Sequence, residues 1–238
     1  MATENVTWGA ERIRGELLKL GINFSKRTIQ RYLPRTGRPP ASPSTQTWAI
    51  FLRNHASQIW ACDFIEVYNL FFQSLFVFVI IELSSRRIVH VALSAASTAH
   101  PTDAWVAQQL RQGTPWGERP RFLIRDNDDK YGSHFAAVAA GSGIKILRTP
   151  IQAPNANALC GNLVGSLHRE CLDHVLILNE RHLHHVVREY SAFFNHARPH
   201  QGIGQAIPVP PQGERPQTGK VIAFPVLGGL HHDYRRAA

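Results

Sequence analysis

The stretch "IWACDFIEVYNLFFQSLFVFVIIEL" (residues 59–83) contains two long apolar segments with a short break between them. Residues 59–70 and 74–83 are rich in β-branched and aromatic side chains, which is typical of buried strands. A third segment, "RRIVHVAL" (86–93), follows the second after only "SS", a gap of hairpin length. The three segments therefore predict an antiparallel meander at the start of a sheet.

Downstream of this meander, helical and strand patterns alternate. Helices are predicted over 101–113, 133–143 and 180–194, with a further helix beginning near residue 158. Short buried strands are predicted over 121–126 and 144–150. A meander followed by alternating helices and strands indicates an α/β layer structure with a mixed sheet.

The composition limits the classes of partner. The chain has 238 residues, and 26 Lys and Arg against 17 Asp and Glu give a net charge of +9, which favours a polyanionic partner. Its three cysteines lack CxxC spacing, so we expect no disulfide framework and no cysteine zinc site. The N-terminus shows no secretory signal, and the longest apolar run (75–83) is too short to span a bilayer. We expect a cytoplasmic protein without a membrane role.

The N-terminal residues have the outline of a helix-turn-helix segment. Residues 8–20 have helical spacing, and Ser25 can cap a second helix, "KRTIQRYL", that ends before Pro34. The Pro-rich stretch 34–47 that follows is typical of a stiff linker. The residues predicted to contact DNA from this region are Lys26, Arg27, Gln30 and Arg31 on the helix and Arg35 and Arg38 in the linker.

Two aspartates are candidate metal ligands. Asp63 lies within an apolar strand, where burial of a carboxylate is costly unless it is paired or bound to metal. The alternative is a structural aspartate that accepts a local hydrogen bond. Asp126 ends the strand 121–126, at the edge of an α/β sheet where sites gather. Carboxylates on neighbouring strands are hard ligands that suit Mg²⁺ or Mn²⁺. Asp128 and Asp129 are predicted to form a turn.

Several segments, in this order, resemble insertion-sequence transposases of the retroviral-integrase type, whose acidic triad is called DDE. They include "WGAERIRGELLKLGINFSKRTIQRYL", "TWAIFLRNHASQIWACDF", "RFLIRDNDDKYG", "TPIQAPNANALCGNLVGSLHRECLDH" and "EYSAFFNHARPHQGI". The resemblance implies a ribonuclease-H-like fold, DNA strand cleavage and 3′-OH strand transfer with two Mg²⁺ or Mn²⁺ ions. It also implies double-stranded DNA partners (element ends and target), a homo-oligomer on DNA and a bacterial, nucleoid-associated location.

The resemblance assigns the first two acids to Asp63 and Asp126. The third acid belongs in the helix after "PNANA", at the position of Gly161, and 34 residues separate it from Asp126, close to the family's usual spacing. The spacing between the second and third positions is therefore retained, but the third acidic residue is missing. At about 100° per residue, Glu170 points away from Gly161, and His168 lies about 10 Å further along the helix, so neither replaces it. We expect weak or absent catalysis.

The predicted domains are a DNA-binding segment (1–33), a basic linker (34–57), an integrase-type catalytic domain (58–210) and a C-terminal tail (211–238). Phosphate contacts from the catalytic domain are predicted for Arg125, Lys130, Arg148, Arg169 and Arg198. Two alternatives remain open: a non-catalytic DNA-binding remnant, and a helix-turn-helix regulator with an unrelated α/β domain. The short N-terminus is expected of a truncated copy or of one product of a split reading frame.

Overall fold

A computed structural model describes residues 10, 14, 24–32, 48–94, 101–115, 117–149, 158–212 and 219–237. The chain divides into two units, Met1–Thr45 and Gln46–Ala238. Within the described residues, none of the helices combines the length and the apolar character needed to cross a membrane.

The first unit contains helix α1, Lys26–Tyr32. Ser25 caps it as predicted, because its hydroxyl accepts a hydrogen bond from the Thr28 N–H at 3.1 Å. Ile29 is buried, and the four predicted DNA-contact residues of this helix are exposed. The preceding helix and turn lie outside the described residues except for Ala10 and Arg14, which are helical, and Arg35 and Arg38 also lie outside them.

The second unit is built on a five-stranded mixed sheet in the order β3-β2-β1-β4-β5. Its strands are β1 (Ile59–Tyr68), β2 (Ser74–Glu82), β3 (Ile88–Ser94), β4 (Phe122–Arg125) and β5 (Lys145–Arg148). The first three pair antiparallel, while β4 and β5 run parallel to β1, so the meander and the mixed sheet are confirmed. The β2–β3 connection spans residues 83–87 rather than the expected two serines, and Arg86 turns the chain at φ 64°.

Helices cover both faces of this sheet. They are α2 (Trp48–Asn54), α3 (Asp103–Gly113), α4 (Ser133–Gly141), α5 (Ala158–Glu170) and α6 (Glu180–His196). Because side chains alternate along a strand, Ala61 and Ile65 of β1 pack in the core beneath α5 and α6. Trp60 and Cys62 pack on the opposite face against α3 and α4. Every residue of β1 is thereby assigned to one face or the other.

One short helix and one two-stranded hairpin were not predicted. Helix α2 lies within the predicted linker, and its Phe51 packs against the core under α5 and α6. In the predicted C-terminal tail, β6 (Val221–Val226) and β7 (His231–Arg236) form an antiparallel hairpin. This hairpin is attached to α6, where the His231 ring stacks on Phe193 with a centroid separation of 4.9 Å.

Candidate active site

The two predicted aspartates lie at adjacent parallel strands, Asp63 within β1 and Asp126 directly after β4. The register of β1 and β4 pairs Ala61 with Ile124, and two further residues along each strand bring Asp63 level with Asp126. Neighbouring strands are about 4.8 Å apart. Ala61 and Ile124 pack on the face covered by α5, so alternation places both aspartates on that same face. The fold therefore brings together two residues that are far apart in the sequence.

Asp63 lies in an environment that opposes ionisation. The side chain is half-buried and accepts a hydrogen bond from the Phe64 N–H at 2.9 Å. Burial raises the pKa of Asp63 to about 6, and the negative charges of Asp126 and Asp128 add to this rise. The Phe64 hydrogen bond and the Lys130 ammonium oppose it. The local hydrogen bond of the structural alternative is thus present, in a site where negative charge is concentrated.

The loop after β4 holds its own charged groups in place. Asp126 accepts a hydrogen bond from the Asp128 N–H at 3.3 Å, and Asp128 accepts one from the Lys130 N–H at 3.0 Å. The Lys130 ammonium also pairs with the Asp128 carboxylate and lies 5.2 Å from the centroid of the Phe64 ring. Lys130, predicted to contact DNA, is therefore committed to an intramolecular ion pair at the edge of the site.

Helix α5, which carries the expected third position, packs on the same face of the sheet as Ala61 and Ile124. Cys160 is fully buried in the same core cluster as Ala61 of β1 and Ile124 of β4, and burial, together with the charges of Asp63 and Asp126, raises the pKa of its thiol. Gly161 follows and is exposed, and the first turn of α5 contains no acidic residue. A Cβ atom built on Gly161 would meet no described atom within 4 Å. The expected position of the third acid therefore lies on a helix that packs against β1, and it has room for a side chain.

Glu170 and His168, which their helical spacing excludes as replacements for the third acid, have other partners in the structure. The Glu170 carboxylate accepts hydrogen bonds from Arg198 Nε at 2.7 Å and from the Tyr190 hydroxyl at 3.2 Å. His168 Nδ1 lies 3.5 Å from Asp173. Within the described ranges, no group of three or more His, Cys, Asp or Glu residues is placed to hold a metal ion. Asp63 and Asp126 carry the carboxylate oxygens that suit a hard divalent cation, and such a cation would relieve the repulsion between their charges.

One predicted phosphate contact does not fit its surroundings. Arg125 is only 4% exposed, and its guanidinium lies 4.9 Å from the centroid of the Tyr131 ring. It also donates to the carbonyl of Asp126 at 2.9 Å. The cause is strand alternation: Asp126 faces α5, so Arg125 faces the opposite, covered side.

Part of this chain matches a known protein family, and its fold is similar to solved structures. Residues 142–208, which include β5, α5 and α6, match the integrase core domain family. The chain is similar to a simian T-cell lymphotropic virus intasome structure solved in complex with PP2A regulatory subunit B56 gamma. That match has a TM-score of 0.51 and 14% identity, and it covers 94% of this chain and 83% of that one.

The chain is also similar to the catalytic domain of Mos1 mariner transposase. The TM-score is 0.51 at 12% identity, covering 61% of this chain and 77% of that one. A second structure of that domain, with raltegravir and Mn, gives the same TM-score and identity and is covered over 78% of its length. No curated protein matches the chain at a significant level.

These similarities concern the fold of the chain and the sequence of residues 142–208. At 12–14% identity the solved structures show a shared fold, the ribonuclease-H-like fold that the family resemblance implied. Together with the integrase core domain match, they confirm the resemblance to the superfamily of retroviral integrases and DDE transposases. Residue 161, which lies within the segment that matches the integrase core domain family, is glycine.

Proposed function

We propose that this chain is a DNA transposition or integration protein of the DDE type whose strand cleavage is impaired because Gly161 supplies no carboxylate. The observation that supports the proposal is the register of β1 and β4, which, continued by two residues, aligns Asp63 with Asp126 on the sheet face that α5 covers. A triad site of this family needs a third acid where the chain has Gly161, and the surrounding space can hold one.

Asp63 and Asp126 would hold a divalent cation, Mg²⁺ or Mn²⁺, and the Mos1 structure solved with Mn supports this choice. Such a cation polarises a phosphoryl oxygen and lowers the pKa of water. The two carboxylates balance the charge of one such ion, while two ions would leave a surplus of two positive charges. The missing acid therefore weakens retention of a second ion most.

The partner that we propose is double-stranded DNA, both element ends and target. A net charge of +9 favours a polyanion, and α1 exposes Lys26, Arg27, Gln30 and Arg31. Self-association on DNA and a nucleoid-associated, cytoplasmic location are part of the proposal. The intasome to which the chain is similar is itself a nucleoprotein assembly of a related core, which supports the first of these.

The test is restoration of the third acid. Gly161→Glu should raise Mn²⁺-dependent nicking of supercoiled plasmid at least about 100-fold over the natural chain, because the loss of a direct ligand costs more than the 10- to 100-fold of an outer-shell change. Gly161→Gln is the matched control, since it has the same length without the charge. Adding Asp63→Asn to the glutamate variant should abolish the gain.

The outcomes separate the candidate functions. If the natural chain nicks DNA weakly and the glutamate variant strongly, it is an impaired enzyme. If only the glutamate variant nicks DNA while both bind it equally, the natural chain is a DNA-binding remnant. Equal activities of the glutamate and glutamine variants, with metal and DNA bound, would refute the assignment of residue 161.

A further inference from the structure

A cavity of about 320 Å³ lies beside α5, separate from the aspartate pair. Three arginines from different parts of the chain line it: Arg86 from the β2–β3 turn, Arg169 from the end of α5, and Arg198 from the segment after α6. No carboxylate is among its described lining residues. Such convergence of guanidinium groups is typical of sites that bind phosphate or carboxylate.

Arg86 is held with an unsatisfied donor. Its Nε is buried and has no hydrogen-bond partner among the described residues, and burial lowers the pKa of the guanidinium. The residue adopts φ 64°, which is uncommon for a residue other than glycine. A Cβ atom on Gly202 would lie 3.2 Å from the terminal nitrogen of Arg86, so this glycine makes room for the guanidinium. A buried N–H without an acceptor is costly, and a bound anion would supply one.

The charges of the cavity are only partly compensated. Arg198 is fixed by Glu170, to which it donates from Nε at 2.7 Å and from a terminal nitrogen at 2.5 Å. Burial lowers the pKa of His200, so its ring adds no positive charge at neutral pH. Arg169 has no described acidic partner, and its guanidinium lies back over Gly165. Three guanidinium charges against one carboxylate leave a surplus of two positive charges.

We propose that this cavity binds a phosphate group, with Arg86 and Arg169 as its charged donors and Asn162 and Ser166 of α5 as its polar wall. Asn162 is the neighbour of Gly161, and Arg169 lies about 10 Å beyond Asn162 along the helix axis, so the cavity extends along α5 from the residue next to the expected third-acid position. A DNA strand bound at the aspartates would extend along α5 and place a backbone phosphate in the cavity. Only this DNA source rests on the proposed function; phosphate binding itself does not.

The first arm of the test uses inorganic phosphate on the full chain. Thermal unfolding is measured in sodium phosphate and in sodium chloride at equal ionic strength, without divalent metal. Phosphate should raise the melting temperature of the natural chain and of Arg188→Gln, an exposed charge-matched control on α6, but not of Arg86→Gln or Arg169→Gln. Arg169 is exposed, so its replacement leaves the β2–β3 turn intact. An equal response of all four proteins would overturn the proposal.

The second arm identifies the source of the phosphate. Binding of a random-sequence DNA duplex is followed by fluorescence anisotropy at increasing salt, again without divalent metal. Loss of a backbone contact should reduce the slope of log affinity against log salt by about 0.9 in each cavity variant and leave it unchanged in a second control, Arg53→Gln, outside the cavity. A phosphate response with unchanged DNA slopes would assign the cavity to a free phosphate compound. Failure of the glutamate restoration at residue 161 would leave the phosphate arm unaffected.

Discussion

Replacing Asp63 with asparagine is expected to stabilise the metal-free protein at neutral pH. Burial, with the charges of Asp126 and Asp128, raises the pKa of Asp63 from 3.8 to about 6. Each pKa unit is worth about 1.4 kcal/mol, so ionising this carboxyl in the folded state costs about 3 kcal/mol at most. Solvent screening of the half-buried side chain reduces the expected gain to about 1–3 kcal/mol.

The sign of the pH dependence follows from the raised pKa. Between about pH 4 and pH 6 the folded protein retains a proton that the unfolded chain has lost. The contribution of Asp63 is therefore fully present below about pH 4, is lost as the pH rises to about 6, and is constant above that. Asparagine has no such dependence, and its amide oxygen can still accept the Phe64 N–H.

The assay is urea unfolding of the natural chain and Asp63→Asn from pH 4 to pH 8 in EDTA, with Asp129→Asn as a control at an exposed aspartate of the neighbouring loop. The asparagine variant should gain stability relative to the natural chain as the pH rises through 4–6. Saturating Mn²⁺ should then reverse the order, since a ligand at 100 times its Kd stabilises by about 2.7 kcal/mol. A variant that is less stable than the natural chain at pH 7 in EDTA would refute the reasoning.

Two further substitutions test neighbouring parts of the site. Gly161→Ala should stabilise α5 by about 0.5–1 kcal/mol without restoring cleavage, because alanine favours the helix and its methyl group meets no described atom within 4 Å. Thermal melting measures the stability and plasmid nicking measures the cleavage. A loss of stability would contradict the open space around residue 161. Arg198→Met should lower the free energy of unfolding, measured in urea, by about 1–3 kcal/mol, because it leaves the half-buried Glu170 without its charged partner. Adding Glu170→Gln to Arg198→Met should recover part of that loss. If the effects of the two substitutions were fully additive, the two side chains would not interact directly.

Much of this fold was predictable because its strands are long or strongly apolar. The segments that became β1 and β2 carry more apolar residues than a loop tolerates, and only a sheet covered on both faces can bury them. The sequence of the C-terminal hairpin has no such apolar pattern. Both of its strands are largely exposed and therefore show no alternation, and Pro225 within β6 argues against a strand.

The candidate site was predictable only in part. Asp63 and Asp126 could be singled out by their positions in and at the end of apolar strands, but their alignment depends on the register of β1 and β4, which neither segment encodes alone. The outcome at Arg125 could have been predicted, since alternation from Asp126 assigns it to the opposite face. Arg86 gave no local signal, because its environment is formed by Gly202 and His200 from a distant part of the chain.

The surroundings of Gly161 bear on what a single substitution can restore. Cys160 and Leu163, on either side of Gly161 along the helix, pack in the core beneath α5, and the helix lies against β1. A glutamate at residue 161 would therefore extend from a helix that is already packed on the sheet. Restoring the third ligand then requires the new carboxylate and no repacking of the core. If Gly161→Glu binds Mn²⁺ no better than Gly161→Gln, the packing of α5 on the sheet is not sufficient to let a glutamate at residue 161 act as the third metal ligand.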